Sequence, residues 1–76
     1  MNKKTLERAI EIKRNLEELE KLRQIMLVPH PEVYASGYHG INLISMGEAA
    51  EKDIKKSVVE AIKRNRELLE KELEAL

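Results

Sequence analysis

Apolar residues along this chain fall into two long helical stripes, separated by a stretch that follows neither helical nor simple alternating spacing. From Asn2 to about Val28, Ala9, Ile12, Leu16, Leu19, Leu22 and Met26 recur at steps of three and four, the spacing of one helix face. That stripe drifts slowly around the axis, as an approximately heptad pattern does. Asn2 is suited to cap the start, and Pro29 and Pro31 stop the helix. Proline lacks an amide donor and pushes the residue before it out of helical conformation. Further on, "SMGE" (Ser45–Glu48) has capping-box spacing, Ser45 accepting from the Glu48 amide and Glu48 reaching back. Ala50, Ile54, Val58, Ala61, Ile62, Leu68, Leu69, Leu73 and Leu76 then line a second stripe. The pattern predicts helices over about 2–28 and 46–76, joined by a connector over 29–45.

Inside the connector, Val33–Tyr34–Ala35 and Ile41–Asn42–Leu43–Ile44 have strand character and flank the glycine-containing "SGYHG". They predict either a short β-hairpin or an irregular loop, and a loop of this length in a compact domain is usually functional. The expected fold is mainly α. An antiparallel two-helix hairpin carries this connector in an α-(ββ)-α order, as one domain over 1–76 completed by homo-oligomerisation.

The outward faces need little explanation. Glu17–Lys21, Glu48–Lys52, Glu51–Lys55, Glu60–Arg64 and Glu67–Lys71 all place acid before base at i, i+4. Interleaved signs of this kind read as a solvated helix surface rather than a binding face. "IKRNLEELEK" (Ile12–Lys21) and "IKRNRELLEK" (Ile62–Lys71) agree at eight of ten positions. Helices rich in Glu, Lys and Leu resemble one another by composition, so the echo reads as shared helix grammar before duplication.

Polar residues on the apolar stripes are more telling. Arg23 and Glu51 fall where an antiparallel hairpin would bring its helices together, predicting a partly buried pair that sets register. Alternatively Arg23 points into the connector and grips a phosphate or carboxylate. Asn15 and Asn65 lie on or beside the stripes, where a buried Asn commonly fixes register and oligomer state.

Composition narrows the classes. With 76 residues the chain makes a single small core that needs reinforcement. It has no Cys, hence no disulfide, thiolate metal site or thiol nucleophile, and its two His are too few for a convincing metal cage. Association of copies is the remaining reinforcement. Fourteen basic residues balance fourteen acidic ones, so binding to nucleic acid through phosphate neutralisation is not expected. The apolar runs are too short and too interrupted to span a membrane. No apolar h-region follows the early lysines, so no signal peptide is expected, and the expected location is cytoplasmic.

Both prolines, both histidines, both tyrosines and two of three glycines lie between Val28 and Ser45, with no Lys or Arg among them. His30, Glu32, Tyr34, Tyr38 and His39 are the only catalytic candidates there. They form no Ser-His-Asp order, no paired carboxylates on a scaffold and no phosphate loop followed by lysine. No catalytic residue, metal or cofactor is expected, and the chain does not read as an enzyme. Tyr34 and Tyr38 join a flat apolar face to a polar tip, which suits stacking on a base or filling a partner's pocket. Their other reading is structural, as rings that pack on the helix ends.

The compact helix–connector–helix plan, the Lys/Glu-rich helices and the small size resemble small proteins of phages and mobile elements. Some phage proteins of this kind are oligomeric sponges that sequester cyclic-nucleotide or ADP-ribose-derived signals of bacterial immunity. The resemblance is one of architecture across the whole chain and carries no residue-level motif. It implies a non-catalytic, homo-oligomeric anti-defence protein that holds a nucleotide-type ligand. From the residues, the candidate ligand set is Arg23, Tyr34, Ser36, Gly37, Tyr38 and His39, with backbone amides near Ser36–Gly37 or the start of the second helix cradling the anion. The alternative is a coiled-coil-like interaction module or inhibitor that docks a partner protein through the connector.

Overall fold

The computed structural model describes residues 2–76. Helix α1 (Lys3–Leu27) is followed by strands β1 (Glu32–Val33) and β2 (Ile41–Asn42), a 3-10 turn (Leu43–Met46) and helix α2 (Glu48–Ala75). The two long helices lie antiparallel against each other, and the two-residue strands form an antiparallel hairpin with Glu32 opposite Asn42 and Val33 opposite Ile41.

Asn2 caps α1 as its sequence position suggests, its side-chain oxygen accepting from the Thr5 amide at 2.8 Å. At the other end Val28 is extended (φ −70°, ψ 152°), the conformation that the following Pro29 imposes. The Val28 carbonyl, left over by the ending helix, accepts from Lys55 Nζ of α2 at 2.8 Å.

The capping box does not form. Ser45 sits inside the 3-10 turn, where its hydroxyl donates to the Asn42 carbonyl at 2.6 Å. Asn42 caps that turn instead, its side-chain oxygen accepting from the Ile44 amide. Helix α2 then starts at Glu48, with Gly47 before it at φ +104° and no side-chain cap. Gly47 separates the 3-10 turn from α2 in a conformation that other residues rarely adopt, which is why the start lies later than the spacing of "SMGE" implies.

The core is small. Ile12, Met26, Leu43 and Ile62 are its buried apolar residues, and Pro31 is also fully enclosed. Ile12 and Ile62 join the helices at mid-length, whereas Pro31 and Leu43 pin the base of the connector, where the Leu43 amide donates to the Pro31 carbonyl at 3.0 Å. The remaining stripe residues are half-buried or exposed, including Leu22, Leu68 and Leu76.

The ion pairs also differ from the sequence pattern. Among the described residues none of the five i, i+4 pairs singled out above is made; Lys21 turns to Glu18, Arg23 to Glu20 and Arg66 to Glu70. Neighbouring carboxylates on an exposed helix compete for a cation with little difference in energy, so spacing alone does not choose between them. The contact that ties the helices together is one that the stripes do not reveal. Arg8 Nε and Nη2 each donate at 2.7 Å to the two oxygens of Glu72, a bidentate pair across the open end of the hairpin.

Candidate functional site

The connector is a stiff base carrying an open tip. At the base, Glu51 of α2 is buried to 8% side-chain exposure, and His30 Nδ1 donates to both its carboxylate oxygens at 3.1 and 3.2 Å. Asn42 Nδ2 reaches the His30 carbonyl at 3.4 Å. Arg23 therefore does not pair with Glu51. Its guanidinium is held bidentately by Glu20, one turn back on α1, at 2.8 and 2.7 Å. Together with Gln24, it draws the Glu20 carboxyl down to about 2. The reason is proximity: a partner three residues away on the same helix needs no tertiary alignment, while the His30 ring is delivered to Glu51 by the Pro29–Pro31 bend.

The tip begins where the hairpin leaves this base. A turn over Ala35–Tyr38 closes through the Tyr38 amide, which donates to the Ala35 carbonyl at 3.1 Å. Gly37 occupies its third position at φ +82°, as a type II turn requires. Gly40 faces Tyr34 across the hairpin so closely that a Cβ there would lie 2.5 Å from the ring. The ring thus rests on bare backbone. The Glu32 carboxylate beside it raises the Tyr34 phenol above its ordinary pKa, through hydrogen bonding first and charge second.

Neither tyrosine closes the helical core. Tyr34 is 70% and Tyr38 80% exposed, and Ser36, Gly37 and His39 are exposed between and beside them. Of the six candidate ligand residues, five lie together on this tip. Arg23 lies on the α1 surface and would have to leave Glu20 to meet an anion. The start of α2 is a poor anion cradle, because Glu48 and Glu51 occupy its first turn. The two tyrosine rings and His39 are the groups that the tip leaves exposed.

Lys55, Glu51 and Asn42 hold the tip in place, and sequence reading does not single out Lys55 or Asn42 for this. A signal exists only for Asn42, whose position two residues before an amide it accepts from is a common side-chain turn. Among the described residues, no three His, Cys, Asp or Glu side chains gather as a metal site would require, and no helix is long and apolar enough to cross a membrane.

A second concave feature lies away from the connector. Between the helices an open groove of about 570 Å³ is lined by Leu19, Leu22, Leu68 and Leu69, with Asn15 and Asn65 among them. The Asn65 amide donates to the Ala61 carbonyl at 2.8 Å, one turn back on its own helix. Glu18 and Glu72 stand at the groove's rim, and both are neutralised, by Lys21 and Arg8 respectively. No protein-family model matches the chain, and no curated protein or solved structure was found to be similar to it.

Proposed function

We propose that this protein is a non-catalytic, self-associating binder whose connector tip captures a nucleotide-type ligand, a cyclic or ADP-ribose-derived signal being the best candidate. In that role it acts as a sponge of the kind found among phage anti-defence proteins. The observation that carries the reading is the pair Tyr34 and Tyr38: two aromatic rings left open on a segment that is otherwise firmly docked. Burying a large ring is favourable, so a fold that anchors the base of a loop and leaves both rings largely exposed, Tyr34 resting only on Gly40, presents them to something else. Stacking on a planar base is sequence-tolerant and needs no catalytic group. His39 supplies charge when protonated, and repeated copies would multiply the tips.

A partner protein is the second reading, and one observation favours it. Val33 and Ile41 stand opposite each other on the hairpin, both about half exposed, so the tip carries aliphatic as well as aromatic surface. Interfaces between proteins use such mixed apolar and tyrosine patches.

A ligand panel separates the two. The purified protein is incubated with nucleotides, cyclic dinucleotides and ADP-ribose derivatives, reading the thermal shift and the recovery of unaltered ligand after denaturation. A sponge gives an upward shift with intact recovery, abolished by Tyr34→Ala with Tyr38→Ala. An altered ligand would make the protein an enzyme, and silence across the panel would leave the partner-protein reading in its place.

A further inference from the structure

We infer that the groove between α1 and α2 is the seat of a second copy of this chain, two hairpins stacking groove to groove into a four-helix bundle. The inference rests on the self-association in the preceding reading and specifies the surface responsible.

The first ground is area. The chain exposes 6120 Å². A compact monomer of 8.8 kDa would expose only about 4,800 Å². The excess, on the order of 1,300 Å², is more than the roughly 800 Å² that each partner contributes to a standard stable interface. Shape agrees with this. The Cα trace measures 49 × 27 × 14 Å, a slab one helix deep. Its radius of gyration is 15.8 Å, against about 11.4 Å for a compact domain of this length. A single layer of helices has no second layer to bury its face against, and stable domains have at least two.

The second ground is self-complementarity. In the matching decads, Ile12 corresponds to Ile62, Asn15 to Asn65 and Leu19 to Leu69. Both isoleucines are buried between the helices, and both asparagines and both leucines line the groove. Two antiparallel helices carrying the same decad are related by an approximate local two-fold, so the groove presents nearly the same chemistry from either end. An isologous interface requires one patch to meet itself, and a patch with that internal symmetry meets itself in either orientation. With the slabs centred on one another, the four amides of Asn15 and Asn65 fall in one layer among leucines. There they satisfy one another, as polar residues at the centre of helical bundles do. No unpaired charge is buried by this contact, because the rim carboxylates already hold Arg8 and Lys21. Leu68, 66% exposed in the single chain, becomes a central side chain of the bundle.

Sedimentation or light scattering of the full chain tests this, with Leu68→Glu as the diagnostic variant and circular dichroism as the check on folding. Wild type is expected as a dimer or an assembly of dimers, and Leu68→Glu as a species of half that mass or less with its helicity retained. Should Leu68→Glu lose its helicity, single-cysteine versions of Asn15 and Asn65, mixed under mild oxidation, give the readout. Disulfide-linked dimers of either variant or of the mixed pair support the bundle, and none would overturn it. A wild-type chain that stays monomeric overturns both this inference and the self-association above. A Leu68→Glu chain that keeps the full mass with intact helices places the interface elsewhere and overturns only the groove. Ligand capture by the tip is read separately, since Tyr34→Ala with Tyr38→Ala is expected to leave the mass unchanged.

Discussion

The two ends of the hairpin hold together by different means. At the connector end, several interactions converge on a few residues. His30 donates to Glu51, Lys55 to the Val28 carbonyl and Leu43 to Pro31, while Pro31 and Leu43 are buried beneath them. Away from the connector, Arg8 and Glu72 clasp the helices at the surface, and between that clasp and the connector Leu19, Leu22, Leu68 and Leu69 face an open groove. One end is finished within the chain and the other is not. The finished end displays tyrosines, as a binding tip would. The unfinished end calls for another layer, as an assembly face would. The proposed recognition and the proposed association thus fall on different surfaces, so that each can be tested by damaging one without the other.

The deepest cut is at the shared core. Ile12 is fully buried where the two ends meet, so Ile12→Ala is expected to cost about 2–5 kcal/mol. Urea unfolding followed by helicity should show that loss, and an unchanged midpoint would mean that this core does not hold the helices together. Next comes the finished end alone. His30→Ala leaves the buried Glu51 carboxylate without its partner, at a cost of about 1–3 kcal/mol. Replacing Glu51 by Gln in the same chain should recover part of it, because an amide is cheaper to bury than a charge. Failure of that rescue would show that the pair is incidental.

Backbone geometry gives an effect of comparable size. At Gly47 nothing crowds an added Cβ, so Gly47→Ala meets only the cost of φ +104°. That cost is expected at about 1–3 kcal/mol, because φ +104° with ψ 151° is a region essentially reserved for glycine, and a thermal melt unchanged from wild type would contradict the turn described here.

The open end gives the smallest effect and one dependent on pH. Hydrogen bonding and the charge of Arg8 hold the Glu72 carboxyl below its ordinary value of 4.5. A carboxyl lowered on folding contributes in full above that ordinary value and loses its contribution as pH falls through the lowered one. Wild type should therefore melt above Glu72→Gln at neutral pH, and the two should converge on acidification. A gap that stays constant with pH would remove the ion pair as its cause.

Much of the helical plan was legible without coordinates. Stripe spacing, Asn2 as a cap and the two prolines place α1 within a residue or two, and strand-like segments around "SGYHG" anticipate the hairpin. Local chemistry explains this success, because caps, turns and prolines act on their near neighbours. Glu51 was legible as an interior carboxylate, yet its partner was not. Arg23 and His30 are both compatible with its spacing, and the choice depends on where the proline bend sends the chain. The Tyr34–Tyr38 tip was legible as a cluster of unusual residues, whereas its openness was not, since a tyrosine in a connector packs inward as readily as outward.

By itself the sequence determined where the helices run, which faces they bury, and that unusual side chains gather between them. These follow from period, capping and the absence of an amide in proline, all readable within a few residues. Only the tertiary structure decided that Glu51 pairs with His30, that Arg8 clasps Glu72, that the second helix starts at Glu48 behind Gly47, and that a leucine groove stays uncovered. Each of those joins residues distant along the chain or depends on how the backbone turns between them. Such contacts exist only once the helices have been brought side by side.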